Sequence, residues 1–352
     1  DGTYYLYVND GEDGHDLVEW LASQPWSNGA VATDGGSHSG HTQYATGVHR
    51  PPHLRAQFVR EASEDYHEGG AYQGGAFLQD HNLSYALSRT PDINRLPSDS
   101  YVIERMRRTR ASVDHWMRLP APRHLELFHD VPETAAWYRD WMVHPDYDDY
   151  WKQPGLNLKE HYDQYANVPV YILGGWYDYF LGGTLRAFMG LKSATTTPKK
   201  LIVGPWIHGP QNIGRSSNGD VEFGREAAVD FLALRERWMA HWLKDEDTAV
   251  LKEAPVRIFV MGTGDGHRTA DGKLFHGGDW REEPTWPLAR AKATRYYLQP
   301  GGALATTMPP ASEPTGYTFD PADPVPTMYR YGAYDQRCRA DIPYCQDTLP
   351  LA

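Results

Sequence analysis

The chain has 352 residues, of which 40% are hydrophobic and 23% are charged. This globular composition excludes a wholly disordered or collagen-like protein. The formal net charge of −12 disfavours nucleic-acid binding, which depends on clusters of Lys and Arg. No apolar stretch is long enough to cross a membrane, so we expect a soluble chain, either cytoplasmic or secreted, with no membrane partner.

Residues 1–82 follow the rhythm of a parallel α/β sheet and are assigned to the first part of an α/β core. Helix and strand patterns alternate, separated by glycine and proline. The predicted elements are a helix over 16–24, a strand over 30–33, a helix over 41–48 and a strand over 54–59. Strand–helix–strand units of this kind build parallel sheets.

Residues 83–160 break this rhythm and predict an inserted helical cap, with helical patterns over 101–117 and 132–143. The α/β core resumes over 161–248. Its predicted elements are a strand over 168–173, a helix over 184–191, a strand over 200–203 and a helix over 228–243.

The pattern becomes β-rich after residue 249, where glycine and proline separate short apolar runs. Strands are predicted over 256–261, 294–299 and 317–319. We therefore assign residues 249–352 to a separate β-domain.

Ser37 lies between glycines, after a predicted strand and before a predicted helix. A nucleophile elbow needs this arrangement, because its serine occupies a strained turn in which neighbouring side chains must be small. The spacing is Gly35-x-Ser37-x-x-Gly40, with Ser39 where a second glycine is usual. The backbone N–H of His38 would face a developing oxyanion. The alternative is a glycine-rich turn with a surface serine.

Asp178 and His208 each come five residues after a predicted strand. The carboxyl ends of the strands form the site in an open α/β sheet, so both side chains fall where Ser37 does. The order Ser, Asp, His is that of α/β-hydrolases. Ser37 is then the nucleophile, His208 the general acid and base, and Asp178 the residue that orients the imidazole.

Three sequence blocks surround these residues: Gly-Gly-Ser-His-Ser-Gly at 35–40, Gly-Gly-Trp-Tyr-Asp-Tyr-Phe at 174–180 and Gly-Pro-Trp-Ile-His-Gly at 204–209. They resemble the cocaine esterase / Xaa-Pro dipeptidyl-peptidase (CocE/NonD) family of serine hydrolases. The resemblance runs from about residue 13 to about residue 335. It implies an α/β-hydrolase with an inserted helical cap, followed by part of a jelly-roll-like β-sandwich, that hydrolyses esters or amides through an acyl-enzyme.

The oxyanion hole departs from the family pattern. The residue after the nucleophile is usually Tyr and is His38 here, although either supplies a backbone N–H. Asp34, before the elbow, is polar where an apolar residue or Thr is usual. The second donor of the family is a Tyr hydroxyl well upstream, whereas Tyr4 and Tyr5 lie close to the elbow. No residue is assigned to this second role.

The length of the chain also departs from the family fold, which places several strands before the nucleophile. The 36 residues before Ser37 contain mostly loop and one helix. About 100 residues follow residue 244 and hold three or four strand patterns, whereas a jelly roll needs about eight. We therefore expect an internal segment, or a shortened copy, of a longer hydrolase.

An acidic loop follows the second predicted strand and contains Glu61, Glu64, Asp65 and Glu68. Some relatives hold the α-amino group of the substrate with acidic side chains, so Glu64 and Asp65 are candidate substrate-binding residues. A solvated acidic loop is the alternative.

Trp176 lies in the same block as Asp178, and Trp206 lies in the same block as His208. Both tryptophans are candidate substrate-binding residues.

We expect no metal and no cofactor. His38 and His41 are three residues apart, but no third ligand and no His-Glu-x-x-His motif is evident. Cys338 and Cys345 lack the spacing of a zinc site and form either a small disulfide or two thiols.

These observations predict a serine hydrolase of the esterase or peptidase type that acts on a small-molecule or peptide acyl substrate. An acyl esterase is the main interpretation. An Xaa-Pro dipeptidyl-peptidase and an α-amino acid ester hydrolase are alternatives within the same class. A binding protein or inactive remnant is the alternative of another class, and a homo-oligomer is left open.

Overall fold

A central sheet organises the computed structural model, which describes residues 5–93, 100–311, 313–314, 316–318 and 320. Among these residues the sheet has six strands that lie side by side in chain order. They are β1 (Val31–Gly36), β2 (Leu54–Arg60), β3 (Val170–Gly175), β4 (Lys199–Gly204), β5 (Val256–Met261) and β6 (Gly278–Glu283). β1 to β5 are parallel, and β6 is antiparallel to β5.

Helices cover both faces of the sheet and fill the segment between β2 and β3. The α-helices are α1 (Asp10–Ala22), α2 (His38–Val48), α3 (Gln79–Ile93), α4 (Tyr101–Ala111), α5 (Val113–Met117), α6 (Pro132–Val143), α7 (Leu181–Ala194) and α8 (Phe231–Lys244). The 3-10 segments include Ala121–Phe128, Asp149–Lys152, Lys159–Gln164, Arg225–Ala227, Val250–Lys252 and Pro300–Gly302.

Each face of β3 packs against helices, and this packing stabilises the sheet. Successive side chains of a strand point to opposite faces, and a parallel strand covered on both sides is apolar throughout. Val170 and Ile172 accordingly pack with α2 and α7, whereas Tyr171 and Leu173 pack with α8. The hydrophobic run that predicted a buried strand therefore serves two separate cores.

The helical cap has a hydrophobic core of its own between β2 and β3. It contains the fully buried rings of Phe128, Trp137, Tyr138, Trp141 and Trp151. The fold predicted from the sequence, an α/β core with a helical insertion, is confirmed.

The first predicted strand of the C-terminal part belongs to the central sheet. Residues 256–261 form a strand at the predicted bounds, but this strand, β5, extends the central sheet by pairing with β4, Leu201 opposite Val256. Only Tyr297–Leu298 of the predicted strand 294–299 is extended, paired with Leu304–Ala305. A local apolar pattern predicts a strand but does not specify its partner.

The last predicted strand is not formed at Tyr317 and Thr318, and Phe319 lies outside the described residues, as do Tyr4, Cys338 and Cys345. The remaining short strands are Tyr72–Gln73, Ala76–Phe77, Ser217–Asn218, Val221–Glu222 and Leu274–Phe275. No helix in the described part of the chain is both long and apolar enough to cross a membrane.

The central position of β3 generates a stability prediction. Ile172 is fully buried, whereas Leu232 on α8 is 48% exposed. We expect Ile172→Ala to lower the free energy of unfolding by about 3 kcal/mol, because it leaves a cavity between sheet and helices. Leu232→Ala is the matched control and should change it by less than about 0.5 kcal/mol. Urea denaturation of both variants measures this, and equal losses would contradict the assignment of β3 to the core.

Candidate active site

Ser37 occupies a strained backbone conformation between β1 and α2. Its φ of 58° and ψ of −123° are unusual for a residue with a side chain. A Cβ on Gly35 would lie 2.5 Å from the Ser39 Cβ, and a Cβ on Gly40 would lie 2.7 Å from the Ala62 Cβ. The glycines therefore let β1, α2 and β2 approach closely enough to form the sharp turn of a nucleophile elbow.

The three residues selected from the sequence lie together in one hydrogen-bonded chain. The Oγ of Ser37 is 3.0 Å from the Nε2 of His208, and the Nδ1 of His208 is 3.1 Å from the Oδ1 of Asp178. Such a chain allows the imidazole to take the serine proton as the oxygen attacks an electrophile. It also directs the imidazolium that results toward a carboxylate.

The strand ends bring Asp178 and His208 together. Gly175 ends β3 opposite Gly204, which ends β4. A Cβ on Gly175 would lie 2.3 Å from the Trp206 carbonyl oxygen, so only glycine permits the two loops to pack this closely. The Tyr177 N–H donates to that same oxygen at 3.1 Å. Asp178 is buried, and its Oδ1 accepts a hydrogen bond of 2.9 Å from the Phe180 N–H.

Glu61, predicted from the sequence only as part of the acidic loop, also lies at the site. It follows β2 directly and its Oε2 is 4.0 Å from the His208 Nδ1. Glu61, Asp178 and His208 bring one ligand atom each within 4.8 Å of one another, a donor set that a small cation accepts. The strand-end rule that selected Asp178 and His208 also points to Glu61.

His38 begins α2, where backbone N–H groups point away from the helix and suit a developing anion. Its side chain is held by the cap and by α1: Nδ1 lies 2.9 Å from the Tyr85 hydroxyl and Nε2 lies 3.4 Å from the Asp10 Oδ2. The Tyr5 hydroxyl donates to Asp140 at 2.6 Å. That bond engages Tyr5 with the cap, so no second oxyanion donor is assigned.

The cap also covers the imidazole of His208. The ring of Tyr179, the residue after Asp178, lies 4.7 Å from the His208 ring. The His81 ring of α3 lies 4.8 Å from the Tyr179 ring. Burial lowers the pKa of His81 to about 4, and the nearby His208 adds to the effect. His81 is therefore neutral near pH 7 and adds no positive charge beside His208.

Glu64 and Asp65, predicted to bind substrate, are both buried and already have partners within the protein. The Arg186 Nε lies 2.5 Å from the Glu64 Oε1, and the Tyr162 hydroxyl donates to the other oxygen. The Oδ1 of Asp65 accepts the N–H of His67 at 2.9 Å in a tight turn. Both carboxylates therefore form hydrogen bonds within the protein, and their contact with substrate stays a prediction.

Trp176 and Trp206 differ in burial: Trp206 is fully buried, whereas Trp176 is half-buried. The Trp206 ring is fully buried and lies 5.9 Å from the Trp280 ring, so it has no surface to offer a substrate. The Trp176 Nε1 donates to the Phe259 carbonyl at 2.7 Å. Trp206 is therefore excluded from contact with a substrate in this structure, whereas contact of the half-buried Trp176 with substrate stays a prediction.

Comparisons with known proteins agree with this architecture. Residues 1–210 match the family model of the X-Pro dipeptidyl-peptidase (S15 family), and residues 248–342 match that of the X-Pro dipeptidyl-peptidase C-terminal non-catalytic domain. The chain is 28% identical to the cocaine esterase of Rhodococcus sp. (strain MB1 Bresler) over 93% of its own length and 56% of the relative's. It therefore spans about half the length of this curated relative.

Solved structures share the fold. An aminopeptidase from a marine sediment Thaumarchaeota archaeon has a TM-score of 0.68 at 23% identity, over 94% of this chain and 52% of that one. A CocE/NonD family hydrolase from Staphylococcus aureus has a TM-score of 0.59 at 20% identity, over 87% of this chain and 44% of that one.

His41 supports the elbow from below. The Ser63 N–H donates to its Nε2 at 3.1 Å, so the proton resides on Nδ1, which donates to the Ser37 carbonyl at 2.9 Å. Burial lowers the pKa of His41 to about 3. The folded protein therefore keeps this imidazole neutral, while the unfolded chain binds a proton below about pH 6.5.

We expect His41 to retain one neutral tautomer, protonated at Nδ1, from about pH 8 to about pH 5. Its share of the free energy of unfolding is complete above pH 6.5 and falls as the pH drops, because only the unfolded state gains the proton. Imidazole ¹⁵N chemical shifts measure the tautomer. A titration midpoint of His41 near that of a solvent-exposed histidine would contradict the prediction that it holds the elbow as a buried neutral imidazole.

Proposed function

Because the chain belongs to the X-Pro dipeptidyl-peptidase (S15) family, we propose that it is a serine hydrolase that cleaves acyl ester or amide bonds through an acyl-enzyme. The observation that carries this proposal is the hydrogen-bonded chain from Ser37 through His208 to Asp178. Its members follow β1, β3 and β4, whose carboxyl ends lie at one edge of the sheet, in the order that the α/β-hydrolase fold uses.

The first half-reaction follows from the atoms present. The Ser37 Oγ attacks the substrate carbonyl carbon as the His208 Nε2 takes the hydroxyl proton. The negative charge then moves to the carbonyl oxygen, where the His38 N–H at the start of α2 donates a hydrogen bond. Asp178 accepts a hydrogen bond from Nδ1, which fixes the tautomer and stabilises the imidazolium.

The same imidazole completes the cycle. His208 gives its proton to the leaving alkoxide or amine, and the tetrahedral intermediate collapses to an ester on Ser37. A water molecule then attacks the acyl carbon as His208 takes its proton, and a second tetrahedral intermediate forms. The bond to the Ser37 Oγ breaks, His208 returns the proton to this oxygen, and the carboxylic acid leaves. No cofactor is required, because acid, base and nucleophile are all side chains of the protein.

We propose an ester as the preferred substrate. A substrate with a free α-amino group needs an acidic partner, and in this structure Glu64 is already paired with Arg186 while Asp65 holds a turn. Cocaine esterase, at 28% identity, is a named ester hydrolase. A panel of aromatic esters, Xaa-Pro amides and α-amino acid esters tests this: faster turnover of the Xaa-Pro amides would favour the dipeptidyl-peptidase alternative.

Ser37→Ala should lower kcat for a p-nitrophenyl ester by about a thousandfold or more, because the remaining site has no nucleophile. Ser39→Ala is the matched control, since it removes a hydroxyl two residues away and leaves the elbow intact. A fluorophosphonate should label wild type and Ser39→Ala but not Ser37→Ala. Undiminished turnover by Ser37→Ala would refute the serine mechanism, and an inactive wild type would favour the binding-protein alternative.

His38→Ala should retain kcat within about tenfold, because the proposed donor is the backbone N–H and not the imidazole. The lost contacts with Tyr85 and Asp10 should act mainly on KM, through the position of the cap. Steady-state kinetics separate the two parameters. A loss of kcat as large as that of Ser37→Ala would instead place the imidazole in the chemistry.

A further inference from the structure

Glu61 has a strained backbone and a buried, partly unpaired carboxylate, and each of these features is energetically unfavourable. Its backbone has a φ of 50°, in the left-handed region that favours glycine. Its side chain is 1% exposed, although an ionisable group loses hydration on burial. Its Oε1 has no hydrogen-bond partner among the described residues. Strain of this kind persists where a function requires it, so the surroundings of the carboxylate need an explanation.

The groups that face Glu61 belong to the site. Its Oε2 accepts the Gly209 N–H at 3.0 Å, which holds the carboxylate against the loop that carries His208. The same oxygen is 4.0 Å from the His208 Nδ1, on which Asp178 also acts at 3.1 Å. The cationic neighbour, Arg60 of β2, lies 3.4 Å from Asp34. One imidazole nitrogen is therefore approached by two buried carboxylates.

We infer that Glu61 is a second carboxylate for His208, a positioning residue that acts beside Asp178. Asp178 takes the hydrogen bond from Nδ1, while Glu61 holds the following residue by its N–H and adds negative charge at 4.0 Å. This charge stabilises the imidazolium that forms when Ser37 is deprotonated. The inference rests on the proposed serine mechanism.

The protonation of Glu61 makes this contribution depend on pH. Burial, together with the charge of Asp178, raises the pKa of Glu61 to about 7 against the opposing effects of His208, the Gly209 N–H and Arg60. The carboxyl group is therefore neutral in acid and charged in alkali within the working range of a histidine base. Only the charged form assists His208, so its effect on turnover should appear as the pH rises through neutrality.

The test compares Glu61→Gln with wild type. Glutamine can still accept the Gly209 N–H but carries no charge. We expect kcat/KM for a p-nitrophenyl ester to equal wild type near pH 5.5, where Glu61 is already neutral, and to be about tenfold lower near pH 8.5. Glu61→Asp restores the charge and should recover part of the loss. Glu68→Gln, the same change in the same loop, is the control and should leave the pH profile unchanged.

A second measurement does not depend on turnover. The NMR titration midpoint of His208 should move to lower pH in Glu61→Gln, because the imidazolium loses a neighbouring charge. The variant should also unfold at the same or a higher temperature than wild type near pH 8.5, since it no longer buries an ionised carboxylate. In wild type, an infrared difference spectrum between the two pH values should show a buried carboxyl group losing its proton.

Several outcomes would overturn the inference. A loss that is equal at both pH values would indicate a structural role, and an unchanged profile with an unchanged His208 midpoint would indicate no role. Loss of wild-type turnover on chelation would show that a metal holds the acidic pair. Failure of the proposed function is distinguishable, because Ser37→Ala would then remain active, or wild type would be inactive while the His208 midpoint still reports on Glu61.

Discussion

The backbone of Ser37 is the constraint on which the site depends. A residue with a side chain at φ 58° is held there only because β1, α2 and β2 pack around it, and the Ser37 N–H donates to the Arg60 carbonyl at 3.0 Å. The close approach needs glycine at positions 35 and 40, where a methyl group would collide with α2 or with β2. The hydroxyl is thereby raised above the sheet, at the height where the neighbouring strands end.

The same edge of the sheet brings two carboxylates, Glu61 and Asp178, close to the imidazole of His208. Parallel strands end at one edge, so β2, β3 and β4 deliver Glu61, Asp178 and His208 into one small volume. Two buried carboxylates repel each other, and the protein offsets this with the N–H groups of Phe180 and Gly209 and with the imidazole itself. The arrangement lowers the stability of the resting protein and favours the imidazolium, the species that the proposed reaction creates.

Sequence reasoning succeeded where a local pattern has one structural meaning. Glycine next to Ser37 permits the elbow, and a residue shortly after a buried parallel strand falls at the carboxyl edge, which brought Ser37, Asp178 and His208 together. It did not predict the pairing of β5 with β4 or the ion pair between Glu64 and Arg186, which lie 122 positions apart. Tertiary packing determines which distant segments pair, and a local sequence pattern contains no information about that packing.

The packing of the cap escapes prediction for the same reason. Its buried tryptophan and tyrosine rings form one cluster with Tyr7, Tyr66 and Phe180, which lie outside residues 83–160. The cap reaches the elbow through two of its residues. The Tyr85 hydroxyl lies 2.9 Å from the His38 Nδ1. The Trp141 ring lies 5.0 Å from the Tyr66 ring, which itself lies 5.0 Å from the His41 ring. We therefore expect a change in cap packing to alter the surroundings of the elbow, while the sheet continues to hold Ser37 and His208. In the proposed mechanism the residues at the strand ends determine the reaction type, and we expect the cap to determine which acyl group is accepted.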